Sequence, residues 1–187
     1  MAEAPPVSAV RRAFERRFDA LAAIGREDST GAYHRLSWTA EDLAARAWFV
    51  AEARGLGLLV EVDRFGNLWA WWGDPTGNGA IATGSHLDTV PGGGAYDGAL
   101  GVVAALGAIE ILRETRFQPT HPVVIVVFTE EEGARFGMGT LGSRLAVGLI
   151  EPDVAFERRD VAGTTLASAM RSADLHPNLR DSTASPL

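Results

Sequence analysis

The chain has 187 residues, 47% of them hydrophobic, and a formal net charge of −7, which fits one globular domain with a sizeable core. It contains no cysteine and no lysine, which excludes disulfide scaffolds, thiolate nucleophiles, Schiff-base lysines and P-loop lysines. Charges of both signs are mixed, no apolar stretch could span a bilayer, and the N-terminus lacks a secretory signal. We therefore expect no nucleic-acid partner, no membrane association and a cytoplasmic location.

Two helices are predicted in the first part of the chain. Apolar residues recur at helical spacing over residues 10–24, and Gly25 would end that helix. Ser37 or Thr39 could cap a second helix, since both residue types accept hydrogen bonds from the first amides of a helix. Glycines at 55 and 57 would end it.

Four strands and a third helix are predicted after these helices. Residues 58–63 and 68–72 are typical of two antiparallel strands, 80–83 of a short buried strand and 122–129 of a strand buried on both faces. An alanine-rich helix is predicted over 98–114. This order favours an α/β fold with a mixed, largely parallel sheet flanked by helices. In such folds, functional residues follow the carboxyl ends of strands.

The tryptophans of the second predicted strand, Trp69, Trp71 and Trp72, could form a platform that stacks on a ligand. Aromatic residues in strands are more often packing residues. We assign these three to the core or to an interface.

One imidazole and two carboxylates follow the predicted strand at 80–83. His86 and Asp88 lie in Gly-Ser-His-Leu-Asp-Thr-Val, and Asp97 follows in Ala-Tyr-Asp-Gly. Imidazole and carboxylate are ligands for divalent metals, and a buried carboxylate is unfavourable unless a cation or hydrogen bonds compensate it. These residues therefore indicate a metal site.

Three glutamates, Glu130, Glu131 and Glu132, follow the most hydrophobic predicted strand. Adjacent side chains point different ways, so one carboxylate could bind a metal while its neighbour acts as a general base. Taken alone, the run is also typical of an acidic turn in solvent. A phosphate loop at the glycines 92–94 is disfavoured because no Gly-Lys-Ser/Thr follows.

Three segments resemble the signature blocks of the carbamoylase branch of the aminoacylase and carboxypeptidase-like di-metal hydrolases, in the same order. They are Gly-Ser-His-Leu-Asp-Thr-Val at 84–90, Tyr-Asp-Gly-Ala-Leu-Gly at 96–101 and Glu-Glu-Gly-Ala-Arg-Phe at 131–136. The branch includes N-carbamoyl-L-amino-acid hydrolase, β-ureidopropionase and allantoate amidohydrolase. The resemblance extends from about 35–39 through 64–67 to 159–160.

The resemblance implies roles for five residues. His86 is similar to the terminal ligand of one metal, Asp97 to the carboxylate that bridges both metals, and Glu132 to the terminal ligand of the other. Glu131 resembles the general base, and Asp88 the aspartate that holds the His86 ring in one tautomer. The implied cofactors are two divalent ions, Zn²⁺ or Mn²⁺, with Co²⁺ or Ni²⁺ as further options.

The implied activity is hydrolysis of amide, ureido or amidine bonds rather than peptide bonds. A metal-bound hydroxide would attack the carbon, and Glu131 would transfer the proton to the departing nitrogen. Expected substrates are small carboxylated molecules such as N-carbamoyl amino acids or allantoate. The resemblance further implies that residues 1–171 form the N-terminal part of a catalytic domain and that full-length relatives are homodimers. Residues 172–187 are polar, include Pro177 and Pro186 and lack a periodic apolar face, so they are predicted to form an irregular tail.

Members of the branch are longer, carry a lid domain absent here, and add one histidine per metal beyond this segment. We therefore expect an incomplete site, and His34, His121 and His176 are not good substitutes. The alternative is a non-catalytic fragment or pseudo-enzyme. A dipeptidase or aminoacylase-like deacylase is a weaker alternative, because the Gly-Ala-Arg-Phe at 133–136 favours the carbamoylase branch. Strands missing from the sheet would leave unpaired edges, so we expect the isolated chain to aggregate or to depend on a partner segment.

Overall fold

The computed structural model describes residues 7–77 and 79–175. His176, which was considered as a metal ligand, lies outside these residues, as does most of the tail predicted at 172–187. The elements are α1 Val7–Ala22, α2 Ala40–Gly55, β1 Leu59–Val62, β2 Leu68–Trp72, β3 Ile81–His86, α3 Ala99–Glu114, β4 Val123–Phe128, α4 Leu141–Ala146, α5 Pro152–Phe156 and α6 Leu166–Ser172.

The four strands form one mixed sheet in the order β1-β2-β4-β3. The predicted antiparallel pair β1 and β2 is confirmed, with Leu59 opposite Trp71. β2 also pairs antiparallel with β4, whereas β3 and β4 are parallel. The α/β class with flanking helices is therefore confirmed. The expectation of a largely parallel sheet is wrong for the described strands, because β2 is inserted between β1 and β4 and runs antiparallel to both.

The strand predicted at 80–83 differs in length and in burial. β3 continues through Gly84 to His86, and its first four residues are exposed because β3 forms an edge of the described sheet. Gly84 does not end the strand. A Cβ atom built there would lie 1.9 Å from the carbonyl oxygen of Val126, so glycine allows the two strands to approach closely.

Both faces of the sheet are covered at its centre. Leu68 and Ala70 of β2 lie in the core cluster that α2 and α3 contribute to, on one face. Trp69 and Trp71 point to the other face and pack with Val126. This alternation follows from the period of two in a strand. It confirms that the buried tryptophans Trp69 and Trp71 are packing residues.

The helices begin and end close to the predicted positions. α1 ends at Ala22, before Gly25, whose positive φ of 70° lies in the following turn. Of the two predicted caps, Thr39 and not Ser37 occupies the N-cap position of α2, but its side chain makes no capping hydrogen bond. The Asp42 carboxylate instead accepts a hydrogen bond from the main-chain N–H of Trp38 (2.8 Å).

A buried arginine joins the three long helices. Arg17 of α1 donates to Glu52 of α2 at 2.8 Å and to Glu110 of α3. The Arg17 side chain is almost fully buried, so removing either partner would leave part of a charged group unpaired.

A second core lies behind the loop that follows β4. It is formed by buried residues of α4, α5 and α6 together with Trp38, Phe65 and Phe136. No helix among residues 7–77 and 79–175 is long and apolar enough to cross a membrane.

Candidate metal centre

The predicted metal loops leave the sheet side by side. β3 ends at His86 and β4 ends at Phe128, and these two residues are paired in the parallel register. The loops of residues 87–98 and 129–140 therefore begin at the same edge, as the sequence predicted for two carboxyl ends of parallel strands.

Three of the predicted site residues converge at this edge. His86, Asp97 and Glu132 each offer one ligand atom, and these atoms lie within 4.8 Å of one another. His86 Nε2 lies 3.6 Å from Asp97 Oδ1 and 3.4 Å from Glu131 Oε2. The structure thus brings Glu131 and the candidate ligands together.

Asp88 contacts the site through both its main chain and its side chain. His86 Nδ1 lies 3.0 Å from the Asp88 main-chain carbonyl oxygen and 3.7 Å from the carboxylate. A carbonyl oxygen can only accept, so Nδ1 carries a hydrogen, and Nε2 is the ring nitrogen that can bind a metal. The Asp88 carboxylate accepts from the Glu132 main-chain N–H (3.1 Å). Asp88 therefore bridges both loops, while its assignment as the residue that holds the ring through its carboxylate stays a prediction.

Several carboxylates lie close together at the carboxyl ends of β3 and β4. Burial raises the pKa of Asp88 to about 7. Burial and the nearby Asp97 carboxylate also raise the pKa of Glu132. Both groups are held in surroundings that disfavour negative charge, and a bound cation would reverse that preference.

The loop that precedes Asp97 is held by the segment before α2. Gly92 and Gly93 both donate their N–H to the Tyr33 carbonyl oxygen, at 3.1 and 3.0 Å. Their amides are therefore used within the protein instead of being presented to a phosphate. The Arg35 guanidinium, which is buried, donates to the main-chain carbonyl of Leu87 (2.9 Å).

Two buried polar side chains hold the start of the loop after β4. Ser37 Oγ accepts a hydrogen bond from the N–H of Glu130 (3.1 Å), and Asn67 Oδ1 accepts one from Thr129 (3.0 Å). Sequence reasoning gave these residues no role in the site. The only available signal was that both lie within the segments 35–39 and 64–67 that carry the resemblance.

The other histidines lie elsewhere in the described structure. His121 precedes β4 and so lies at the end of the sheet opposite the candidate ligands, as predicted. His34 lies beside the glycine loop, where its Nδ1 accepts from the Gly92 N–H (3.3 Å). Neither belongs to the group of candidate metal ligands.

The donor set fits a divalent metal ion. It combines one imidazole nitrogen with two carboxylates, of which Glu132 has a raised pKa that a cation would lower, and its atoms are close enough to share an ion. A mixed sheet that presents His, Asp and Glu at the ends of two parallel strands is the arrangement of an α/β metalloprotein. Comparison with known proteins identifies the family.

Residues 67–172 match the model of peptidase family M28. The N-carbamoyl-L-amino acid amidohydrolase of Geobacillus stearothermophilus is 41% identical over 84% of this chain and 38% of its own length. The ureidoglycolate hydrolase of Oryza sativa subsp. japonica is 39% identical over 72% of this chain and 28% of its own. The chain belongs to peptidase family M28 and, within it, to the hydantoinase/carbamoylase branch.

A solved structure agrees with this assignment. The hydantoinase/carbamoylase family amidase from Burkholderia ambifaria superposes with a TM-score of 0.85 and 35% identity, over 95% of this chain and 42% of that one. The chain thus spans about two fifths of that structure, and 38% of the Geobacillus relative.

Proposed function

We propose that this chain carries the first part of a metal-dependent hydrolase that cleaves carbon–nitrogen bonds other than peptide bonds. The proposed substrates are small carboxylated molecules with an amide, ureido or amidine group, such as N-carbamoyl amino acids or allantoate. The observation that carries the proposal is the convergence of His86, Asp97 and Glu132 within 4.8 Å, in a chain of the hydantoinase/carbamoylase branch.

The proposed metal ligands are His86 and Asp97 for one ion, and Asp97 and Glu132 for the other. When bound, divalent ions would supply Lewis-acid activation of the substrate and of water. Zn²⁺ and Mn²⁺ are the first candidates, since imidazole and carboxylate suit both.

Glu131 is the proposed general base. Its carboxylate lies 3.4 Å from His86 Nε2, and its side chain is 31% exposed, so it can reach both the site and a bound substrate. It would take a proton from the attacking water and deliver it to the nitrogen that leaves when the carbon–nitrogen bond breaks. Asp88 would keep the His86 ring oriented while its carboxylate holds the loop that carries Glu132.

A second candidate function is a non-catalytic metal-binding fragment. The observation that favours it is the short coverage of the relatives, because the described residues give each proposed ion two protein ligands, whereas catalytic zinc ordinarily has three. A dipeptidase or deacylase activity is the remaining alternative.

A substrate panel separates these functions. A protein that contains this chain together with the remaining part of the hydrolase, supplied with Zn²⁺ or Mn²⁺, is assayed on an N-carbamoyl-L-amino acid, allantoate, a dipeptide and an N-acetyl amino acid. We expect release of product from the first two substrates only. Bound metal without any turnover would favour the non-catalytic fragment, and hydrolysis of the dipeptide or of the N-acetyl amino acid would favour the third function.

The role of Glu131 is tested in the same assay. Glu131→Gln should lower turnover by roughly 100-fold or more and leave the metal content unchanged, because an amide cannot accept the proton. Glu157→Gln, at an exposed carboxylate far along the chain, is the matched control and should retain parental turnover. Activity that survives Glu131→Gln would remove Glu131 from the mechanism.

A further inference from the structure

Glu130 is a buried carboxylate for which the proposed chemistry has no use. Its side chain is 1% exposed, it is absent from the group of candidate ligands, and it forms no ion pair among the described residues. Burying a carboxylate is unfavourable unless hydrogen bonds or a cation compensate it. The hydrogen bonds of Glu130 indicate its role in the structure.

The Glu130 side chain closes the loop that carries the other two glutamates. Its Oε1 atom accepts hydrogen bonds from the main-chain N–H groups of Arg135 (3.2 Å) and Phe136 (2.7 Å). These amides lie five and six residues further along the chain, so the carboxylate joins the two ends of the segment that contains Glu131 and Glu132.

The main chain of Glu130 is fixed as well. Its N–H donates to Ser37 Oγ (3.1 Å), and its carbonyl oxygen accepts from the N–H of Leu141 (3.1 Å). Its φ of 48° lies in the left-handed region, which a residue with a side chain adopts only when its surroundings impose it. The chain changes direction sharply after β4. Hydrogen bonds to the main-chain N–H, the main-chain carbonyl and the Oε1 atom of Glu130 hold this turn.

The remaining polar atom, Oε2, is buried without a hydrogen-bond partner in the described part of the chain. Only Oε1 binds the two amides, and a neutral side-chain oxygen at the same place would accept from them equally well. The reach of this side chain, and not its charge, is what the loop requires.

We propose that Glu130 is a positioning residue: by binding the amides of Arg135 and Phe136 it fixes the loop that presents Glu131 and Glu132 to His86. The next contacts along the loop agree. Glu132 donates its N–H to Asp88, and the Glu131 carbonyl accepts from Thr140. The consequence for metal affinity rests on the proposed metal site, whereas the consequence for loop order does not.

Two substitutions separate reach from charge. Glu130→Gln keeps the length and the acceptor oxygen but removes the charge, and Glu130→Asp keeps the charge but shortens the side chain by one methylene. Glu157→Asp applies the same shortening to an exposed glutamate, 75% exposed at its side chain, and serves as the control.

Two readouts are measured on each variant. Amide hydrogen exchange at residues 131–136 reports the order of the loop without any metal. Titration with Co²⁺, followed by its visible absorption, reports metal affinity and ligand geometry. A circular dichroism melt confirms that each variant is folded.

In Glu130→Asp, the amides of residues 131–136 should exchange about tenfold faster than in the parent, because a hydrogen bond is lost. It should also bind Co²⁺ at least about tenfold more weakly, as when a group that orients metal ligands is removed. Glu130→Gln and Glu157→Asp should match the parent in both measurements.

Faster exchange and weaker Co²⁺ binding in Glu130→Gln, with parental behaviour in Glu130→Asp, would overturn the proposal, because charge would then be the property that matters. Parental behaviour of both variants would also overturn it. Absence of Co²⁺ binding by the parent would contradict the proposed metal site alone, since the exchange measurement still decides the role of Glu130.

Discussion

Asp88 connects the loop of residues 87–98 with the loop of residues 129–140. Its main-chain carbonyl orients the His86 ring, and its buried carboxylate accepts the N–H of Glu132. The same burial raises the pKa of this carboxyl from 3.8 to about 7, so the folded protein favours its protonated form. The surroundings of Asp88 therefore connect the geometry of the site with the pH dependence of folding.

The sign of that dependence follows from proton binding. Between pH 3.8 and about 7 the folded state keeps the Asp88 proton that the unfolded state has released, so the free energy of unfolding falls as pH rises. For one carboxyl the slope is on the order of 1 kcal/mol per pH unit. Asp88→Asn should remove this part of the slope in metal-free protein, measured by urea unfolding in the presence of a chelator.

Other buried carboxyls retain part of the pH dependence, because burial also raises the pKa of Asp42 and of Glu130. Asp153→Asn, at an exposed position, is the control and should keep the parental slope. An Asp88→Asn variant with the parental slope would show that the Asp88 carboxyl titrates alike in the folded and unfolded states.

At the scale of single residues, the motifs were sufficient to select the candidate ligands. His86, Asp97 and Glu132 were predicted from three short blocks, and the structure brings their ligand atoms together. The distinct position of Glu130 could not be predicted, because it precedes the block at 131–136 and no motif gives it a role. Glu130 adopts a left-handed φ and its side chain is buried, and no residue type at that position signals either property.

A glycine of α3 allows close packing between α3 and β3. α3 packs on β3, and a Cβ atom built at Gly101 would lie 2.7 Å from the Cβ atom of Ser85. A Cβ atom at Gly107, on the same helix, would meet nothing within 4 Å. Two glycines that look alike in sequence thus have different packing.

These glycines give a matched pair of substitutions. Gly107→Ala should raise the free energy of unfolding by about 0.5–1 kcal/mol, since alanine is the better helix former. Gly101→Ala should lower it by about 1 kcal/mol or more, because overpacking against β3 outweighs the gain in propensity. Urea unfolding of both variants tests this, and equal stabilisation by the two would contradict the tight contact between α3 and β3.

β3 is also the element for which sequence reasoning was least accurate. The sequence predicts a short buried strand over residues 80–83, followed by a glycine-rich loop. The strand continues to His86 because Gly84 permits close approach to β4, and its first residues are exposed because β3 forms a sheet edge. Strand order, which determines exposure, depends on contacts distant in sequence and cannot be read from local composition.

The exposed edge strand β3 could pair with a second copy of the protein. β3 carries no charged side chain over residues 81–84 and is paired on one side only in the described sheet. Uncharged edge strands are templates for pairing with other chains. We expect the protein to self-associate when studied as this 187-residue chain.

Light scattering coupled to size-exclusion chromatography tests that expectation. Ala82→Lys places a charge on the exposed edge and should raise the monomer fraction, whereas Ala162→Lys, at an exposed position outside the sheet, should not. A monodisperse monomeric parent with a cooperative thermal transition would contradict self-association through β3.

The proposed bridging of two metal ions by Asp97, with His86 and Glu132 as the other ligands, is tested by the zinc content of the parent and of Asp97→Ala. The Asp97 side chain is 65% exposed, so its removal should leave the fold intact. Asp97→Ala should lose zinc from both positions at once, because one carboxylate would serve both ions, while Asp153→Ala should retain the parental content. An Asp97→Ala variant with unchanged zinc stoichiometry would refute the bridging role of Asp97.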